Sequence, residues 1–246
     1  MEKGIIATNV CLKIMKSKLV FQSFEETLKD TNLKNIVGDY SEVLIDSLID
    51  DELLKEIPIV RTIINSFKFG INIKDRLFLR KIVSFLLPLT DVSEKNRKEI
   101  IESIDDSRKY RIRVGEKLLY IIDSCDDYEV AELISIVFRQ YLEKNISYEE
   151  FLQVSSILKD MNMIDFETFI KSEGNISNDI NDVGHLIHTG LYNIYYEPIY
   201  VNVADEDDRK TLIEGGNKYK SDVDGGIYVN ISHTGEIILK IFKKIK

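Results

Sequence analysis

The sequence is poor in residues that stop helices or cross-link chains, with three prolines, twelve glycines and two cysteines in 246 residues. So few breakers exclude collagen-like, mucin-like and linker-rich architectures and favour long helices. Cys11 and Cys125 lie far apart, match no CxxC pattern and sit among apolar neighbours, where a free thiol behaves as a small hydrophobe. That excludes a disulfide framework and makes a reducing cytoplasm the expected compartment. Long apolar runs are missing as well. In the most apolar stretch, residues 57–89, the longest uncharged run is the nine residues 82–90, less than half of a bilayer span. Lys13, Lys16 and Lys18 interrupt the apolar residues near the N-terminus, so no secretory signal is expected.

The motifs of catalysis are also absent. There is no GxSxG, no Walker A, no GxGxxG after a strand and no HExxH. Ser232, His233 and Thr234 are adjacent rather than convergent, and neighbours on a strand face opposite sides, so they make no nucleophile–base pair by themselves. The expectation is a protein that is not an enzyme, with no catalytic, cofactor-binding or metal residues.

What is present is a core and a patterned charge. Apolar residues make up 44% and charged residues 30%, which suits a globular protein. Isoleucine occurs 37 times and alanine three times, an exchange that AT-rich coding produces, which points to a low-GC bacterium or one of its phages. The net charge of −9 argues against a surface built throughout to trap nucleic acid. Its distribution is uneven: residues 61–81 hold six cations and one anion, whereas residues 172–208 hold eight acids and no Lys or Arg.

Helical signals dominate up to residue 162. Ser23 and Glu26 read as a capping box opening a helical region over residues 24–56, with Gly38 dividing it. Pro58 suits a first helical turn, and Ile59, Val60, Ile63, Ile64 and Phe67 form an amphipathic stripe broken at Gly70. A second piece begins near Asp75 and ends at Pro88. Ser93 caps a charged helix that buries Ile100, Ile101 and Ile104. A basic-aromatic patch follows at Arg108, Lys109, Tyr110, Arg111 and Arg113. Asp123 or Asp126 is the expected cap of a helix whose stripe is Val130, Leu133, Ile134, Val137, Phe138, Tyr141 and Leu142. Ser147 and Glu150 make a further capping box, opening a helix to about Met161.

Beyond that point glycines cluster, and β-favouring runs appear at residues 194–203 and 227–231. The predicted architecture is mainly α, with an N-terminal segment (1–23), a multi-helix domain (24–162) and a small α+β module (163–246). Asp182-Val-Gly-His-Leu-Ile-His-Thr-Gly-Leu-Tyr192 reads as a helix. In Gly226-Ile-Tyr-Val-Asn-Ile-Ser-His-Thr-Gly-Glu-Ile-Ile-Leu-Lys-Ile-Phe242 a short strand precedes a helix capped by Ser232 or Thr234. Together these phrases resemble the end of a winged-helix domain over the last 75 residues or so. The short acid-capped helices of residues 91–162 resemble, in outline, the tellurite-resistance-type helical domain. That family's acidic metal-binding pattern does not appear in this sequence, so neither residues nor activity carry over.

The winged-helix resemblance implies DNA binding, and the charge opposes it. A helix in the major groove lies against phosphates and usually carries cations, which the stretch 172–208 lacks. Asp182, His185 and His188, spaced i, i+3, i+6, offer three ligands on one helix face without a local fourth, so a helix-end role outweighs a metal site. The segment 139–150, closed by Glu150, would place Lys144 where an EF-hand needs glycine, and calcium is rejected.

The expected function is therefore a non-catalytic cytoplasmic interaction or regulatory protein, in a defence or counter-defence setting. It would bind a protein partner through Glu173, Asp179, Asp182, Glu197, Asp205, Glu206, Asp207 and Asp208. One alternative is a peripheral membrane protein using the cationic amphipathic segment 59–85. Another is a nucleic-acid-binding regulator using the Arg108–Arg113 patch or the lysine tail, with duplex DNA disfavoured.

Overall fold

A computed structural model describes residues 18–37, 56–66, 72–107, 109–110, 112–173, 180–196 and 227–243. The fold is mainly helical, with one two-stranded antiparallel sheet near the C-terminus. The chain divides into two compact units, Met1–Met163 and Ile164–Lys246.

The first unit begins with α1 (18–29), α2 (Leu33–Val37), α3 (Pro58–Ser66) and α4 (Ile73–Leu86). A 3-10 turn (Leu87–Asp91) holding Pro88 follows α4. Then come α5 (Glu94–Asp105), α6 (Val114–Ser124), α7 (Tyr128–Leu142) and α8 (Tyr148–Asp160). The core runs along the α4–α7 contact. Phe24, Phe85, Phe138 and Phe151 are all fully buried, and successive ring centroids lie 6.2, 5.9 and 5.1 Å apart. Of the α7 stripe, Val130, Ile134, Val137, Phe138 and Leu142 are buried, and Leu133 and Tyr141 are half-buried. The buried Ser135 hydroxyl donates to the Phe85 carbonyl, so the polar residue on this face is satisfied inside the contact.

Local caps account for several helix starts. Ser93 Oγ accepts from Asn96 N–H, and Ser147 with Glu150 forms a complete capping box. Two expected caps are corrected. Ser23 does not open a helix, because α1 runs through it. Its buried hydroxyl accepts from Thr62 Oγ1 at 2.8 Å, and its carbonyl accepts from Thr27 Oγ1 at 2.8 Å. The α7 cap is Asp127, not Asp123 or Asp126. Asp127 is the extended residue next to Tyr128, and its Oδ1 accepts from Val130 N–H at 3.0 Å. Helix α4 starts at Ile73, near Asp75 as expected, and Asp75 acts as the third residue of a capping box whose cap is Asn72. Gly38, Phe67 and Gly70 lie outside the described residues.

The second unit contains α9 (Met163–Lys171), α10 (Ile180–Ile187), β1 (Tyr192–Tyr196), β2 (Ile227–Ile231) and α11 (His233–Phe242). The strand register pairs Tyr192 with Ile231 and Tyr196 with Ile227. Strand β1 begins two residues before the expected 194, and residues 197–203 lie outside the described residues. A small core packs Phe166 edge-on against Phe242 with centroids 5.0 Å apart, and Phe169 against Tyr192 at 5.9 Å. Val183, Leu186, Leu191, Val229 and Ile238 are buried with them.

Candidate functional site

The second unit is organised around the turn that ends α10. Gly190 has φ 87°, a left-handed conformation that glycine adopts without a side-chain clash. Thr189 Oγ1 donates to the Leu186 carbonyl at 2.6 Å and closes the helix. Ser232 then joins this turn to α11. Its N–H donates to the Leu191 carbonyl at 2.8 Å, and its hydroxyl donates to the Gly190 carbonyl at 2.6 Å. The same hydroxyl accepts from Gly235 N–H at 3.0 Å, which caps α11. The proton of Ser232 is thus committed to a backbone carbonyl, and the residue acts as a brace for the hairpin.

The two-stranded sheet carries exposed apolar side chains at the end where Tyr196 pairs with Ile227. Tyr192, Ile194 and Tyr196 share one face with Ile231, Val229 and Ile227. Tyr192 and Val229 are buried, but Ile194, Ile227 and Tyr196 are 40, 45 and 72% exposed. On the opposite face Tyr195 stacks on Tyr228 with centroids 5.6 Å apart. This patch was missed at the sequence level. Its signal is the tyrosine-rich run of β1, which also reads simply as strand propensity.

Of the eight acids named for partner binding, the structure places one side chain. Glu173 is exposed after α9 with φ 59°, and Lys243 Nζ lies 2.8 Å from its carboxylate, holding it below the usual carboxylate range. Asp182 falls within α10. Asp179, Glu197, Asp205, Glu206, Asp207 and Asp208 lie outside the described residues. His185 Nε2 stands 3.6 Å from Asp165 Oδ1, and His188 is exposed in the turn after α10. No group of three or more metal-ligating side chains converges among the described residues.

In the first unit, the basic-aromatic patch is matched by carboxylates. Tyr110 OH donates to Glu149 Oε1 at 2.6 Å, and Lys109 Nζ donates to the same oxygen. These bonds, Lys109 first, hold the Glu149 carboxyl down at about 2. Arg113 pairs with Glu25 at 2.6 Å and with Asp105 at 3.2 Å. Tyr110 also packs edge-on against Tyr148 with centroids 4.8 Å apart. Of the cations that suggested a nucleic-acid surface, Lys109 and Arg113 are each paired with carboxylates from elsewhere in the unit. Arg108 and Arg111 lie outside the described residues.

Among its described residues, the segment 59–85 gives most of its apolar side chains to the core. Ile59, Val60, Ile63, Leu79, Ile82, Val83 and Phe85 are all buried. Among the described residues no helix is long and apolar enough to cross a membrane. Comparison of the chain with protein-family models, with curated proteins and with solved structures finds no match.

Proposed function

We propose that the chain is a non-catalytic cytoplasmic interaction protein whose C-terminal unit binds a basic protein partner. The observation that carries this reading is the charge of residues 172–208, which hold eight carboxylates and no Lys or Arg. Such a stretch attracts cationic surfaces, repels phosphate backbones and steers association. The exposed Ile194, Tyr196 and Ile227 add apolar area, and tyrosine is well suited to anchoring an interface. The bonds of Ser232 to the Gly190 and Leu191 carbonyls hold the strand that carries Ile227 to the α10 turn. A regulatory role follows if the partner is an effector whose own basic surface the acidic stretch covers.

The test is co-purification of the full chain from its native cytoplasm, beside a variant with the eight acids changed to their amides. Loss of a basic partner from the variant supports the reading, and the wild-type complex should weaken as salt rises. Recovery of the same partner by both chains overturns the assignment to this surface.

A further inference from the structure

The first two turns of α4 carry apolar side chains that the fold leaves in solvent. Ile73 is 76% exposed and Leu77 52%. They stand one turn apart on the same face. Farther along the same helix Leu79, Ile82, Val83, Phe85 and Leu86 are buried, so the apolar surface of α4 is divided between a packed end and an open one. Lys74 and Arg76 are exposed beside the open pair, and among the described residues neither side chain has a hydrogen-bond or ion-pair partner. Asp75, between them in sequence, is turned back to the helix start, where its Oδ2 accepts from Asn72 N–H at 3.0 Å. The next two cations are engaged elsewhere. Arg80 lies over the Tyr128 ring at 3.7 Å, and Lys81 Nζ donates to the carbonyls of Asp123 (3.2 Å) and Cys125.

We propose that this end of α4 is a contact site for an anionic lipid surface. Lys74 and Arg76 meet headgroup phosphates, and Ile73 and Leu77 enter the boundary between headgroups and acyl chains. These cations, which no carboxylate pairs among the described residues, select an anionic occupant. Exposure as high as that of Ile73 belongs to a projecting side chain, which a deformable lipid surface takes up without a matching pocket. The site is in the first unit and stands or falls independently of the acidic C-terminal surface.

The sequence contains no tryptophan, so a Leu77→Trp chain carries a single reporter on this face. A Tyr120→Trp chain, altered at a 54% exposed position in α6, is the control. With phosphatidylglycerol vesicles at low ionic strength, the emission of L77W shifts to the blue and that of Y120W does not. Vesicles of phosphatidylcholine alone shift neither. In vesicle sedimentation the double variant Lys74→Glu/Arg76→Glu binds at least ~25-fold more weakly, at roughly fivefold per cation. Ile73→Ser binds several-fold more weakly while keeping the wild-type circular dichroism. The proposal is overturned if L77W emission does not move, if Y120W moves equally, or if the charge reversal leaves sedimentation unchanged. A blue shift with soluble polyglutamate and none with vesicles also overturns it, in favour of an acidic peptide.

Discussion

Arg97 Nε donates to the carbonyl of Leu28 at 2.8 Å, linking residues 69 positions apart. Its Nη2 donates to the Asp30 carbonyl at 2.5 Å, and its Nη1 to the carbonyls of Val92 and Leu89. The guanidinium is buried, which lowers its pKa, and its hydrogen-bond partners are backbone carbonyls. Leu28 sits in the last turn of α1 and Asp30 just beyond it, where carbonyls lack partners within the helix. Leu89 and Val92 belong to the turn after α4. One side chain from α5 thus satisfies two chain ends and fixes them against each other.

Arg97→Met should remove these donors while keeping most of the side-chain volume, and leave several carbonyls buried without partners. The expected cost is about 2–4 kcal/mol, because each unsatisfied buried group loses its hydration without replacement. Arg97→Lys should recover only part of it, since a single ammonium cannot reach across a planar fork of donors. Urea unfolding followed by circular dichroism measures both. A Met variant as stable as wild type would show that water replaces the guanidinium at no cost.

Glu149 gives a pH signature. Its carboxyl is held at about 2 by Lys109 and Tyr110, against an ordinary 4.5. A depressed carboxyl stabilises the folded state above its unfolded pKa, and that contribution is lost as pH falls through the folded value. The difference in thermal midpoint between wild type and Glu149→Gln should therefore be largest above pH 4.5 and vanish towards pH 2. Salt should reduce it, because the pair is exposed. A difference that stays constant across this range would mean that the Gln change acts through packing instead.

These two relationships show which parts of the molecule could be read in advance. Pro58, Ser93 and the Ser147–Glu150 box are legible because a helix start is signalled within four residues of its cap. The α7 stripe is legible from side-chain period, and strand Ile227–Ile231 from its β-favouring composition. Ser23 misled because its spacing to Glu26 imitates a cap, whereas its hydroxyl is used by Thr62, 39 residues away. Lys109 and Arg113 read as a free basic patch because Glu149 and Glu25 are 40 and 88 residues distant. The nearer Asp105, eight residues from Arg113, stands at no helical spacing from it. Pattern reports local geometry and burial. Charge pairing across the fold is set by tertiary contacts that leave no periodic trace. Glu173 shows the same effect in the second unit, where its carboxylate is met by Lys243, 70 residues away.

Two glycines should respond oppositely to alanine. A Cβ on Gly235 would meet the Leu191 carbonyl oxygen at 2.6 Å and Ile231 Cγ2 at 2.8 Å. The oxygen is held by Ser232 N–H and cannot move aside freely, so Gly235→Ala should cost about 1–3 kcal/mol in spite of better helix propensity. A Cβ on Gly184 meets nothing within 4 Å. Within α10, Gly184→Ala should stabilise by roughly 0.5–1 kcal/mol, through the lower entropy of its unfolded chain and its helix preference. Chemical denaturation of both variants checks the pair: a Gly235→Ala chain no less stable than wild type would refute the close approach at Gly235, and a destabilised Gly184→Ala chain would refute the open space at Gly184.

Helix α3 takes its cap from another helix, at Thr27 of α1. The Thr27 hydroxyl accepts from Ile59 N–H at 3.1 Å, and its own proton goes to the Ser23 carbonyl at 2.8 Å. Ile59 is the second residue of α3, where backbone N–H groups have no partner within the helix, and both residues are buried. Thr27→Val keeps the shape and removes the acceptor, so it should cost about 1–2 kcal/mol, the range for losing an N-cap. Thr27→Ser keeps the hydroxyl and loses a buried methyl, so its cost should be smaller, about 1 kcal/mol. Hydrogen exchange separates the two: the Ile59 amide should lose protection in the Val variant and keep it in the Ser variant. Equal protection in both would mean that the α1–α3 contact, and not the hydroxyl, shields that amide.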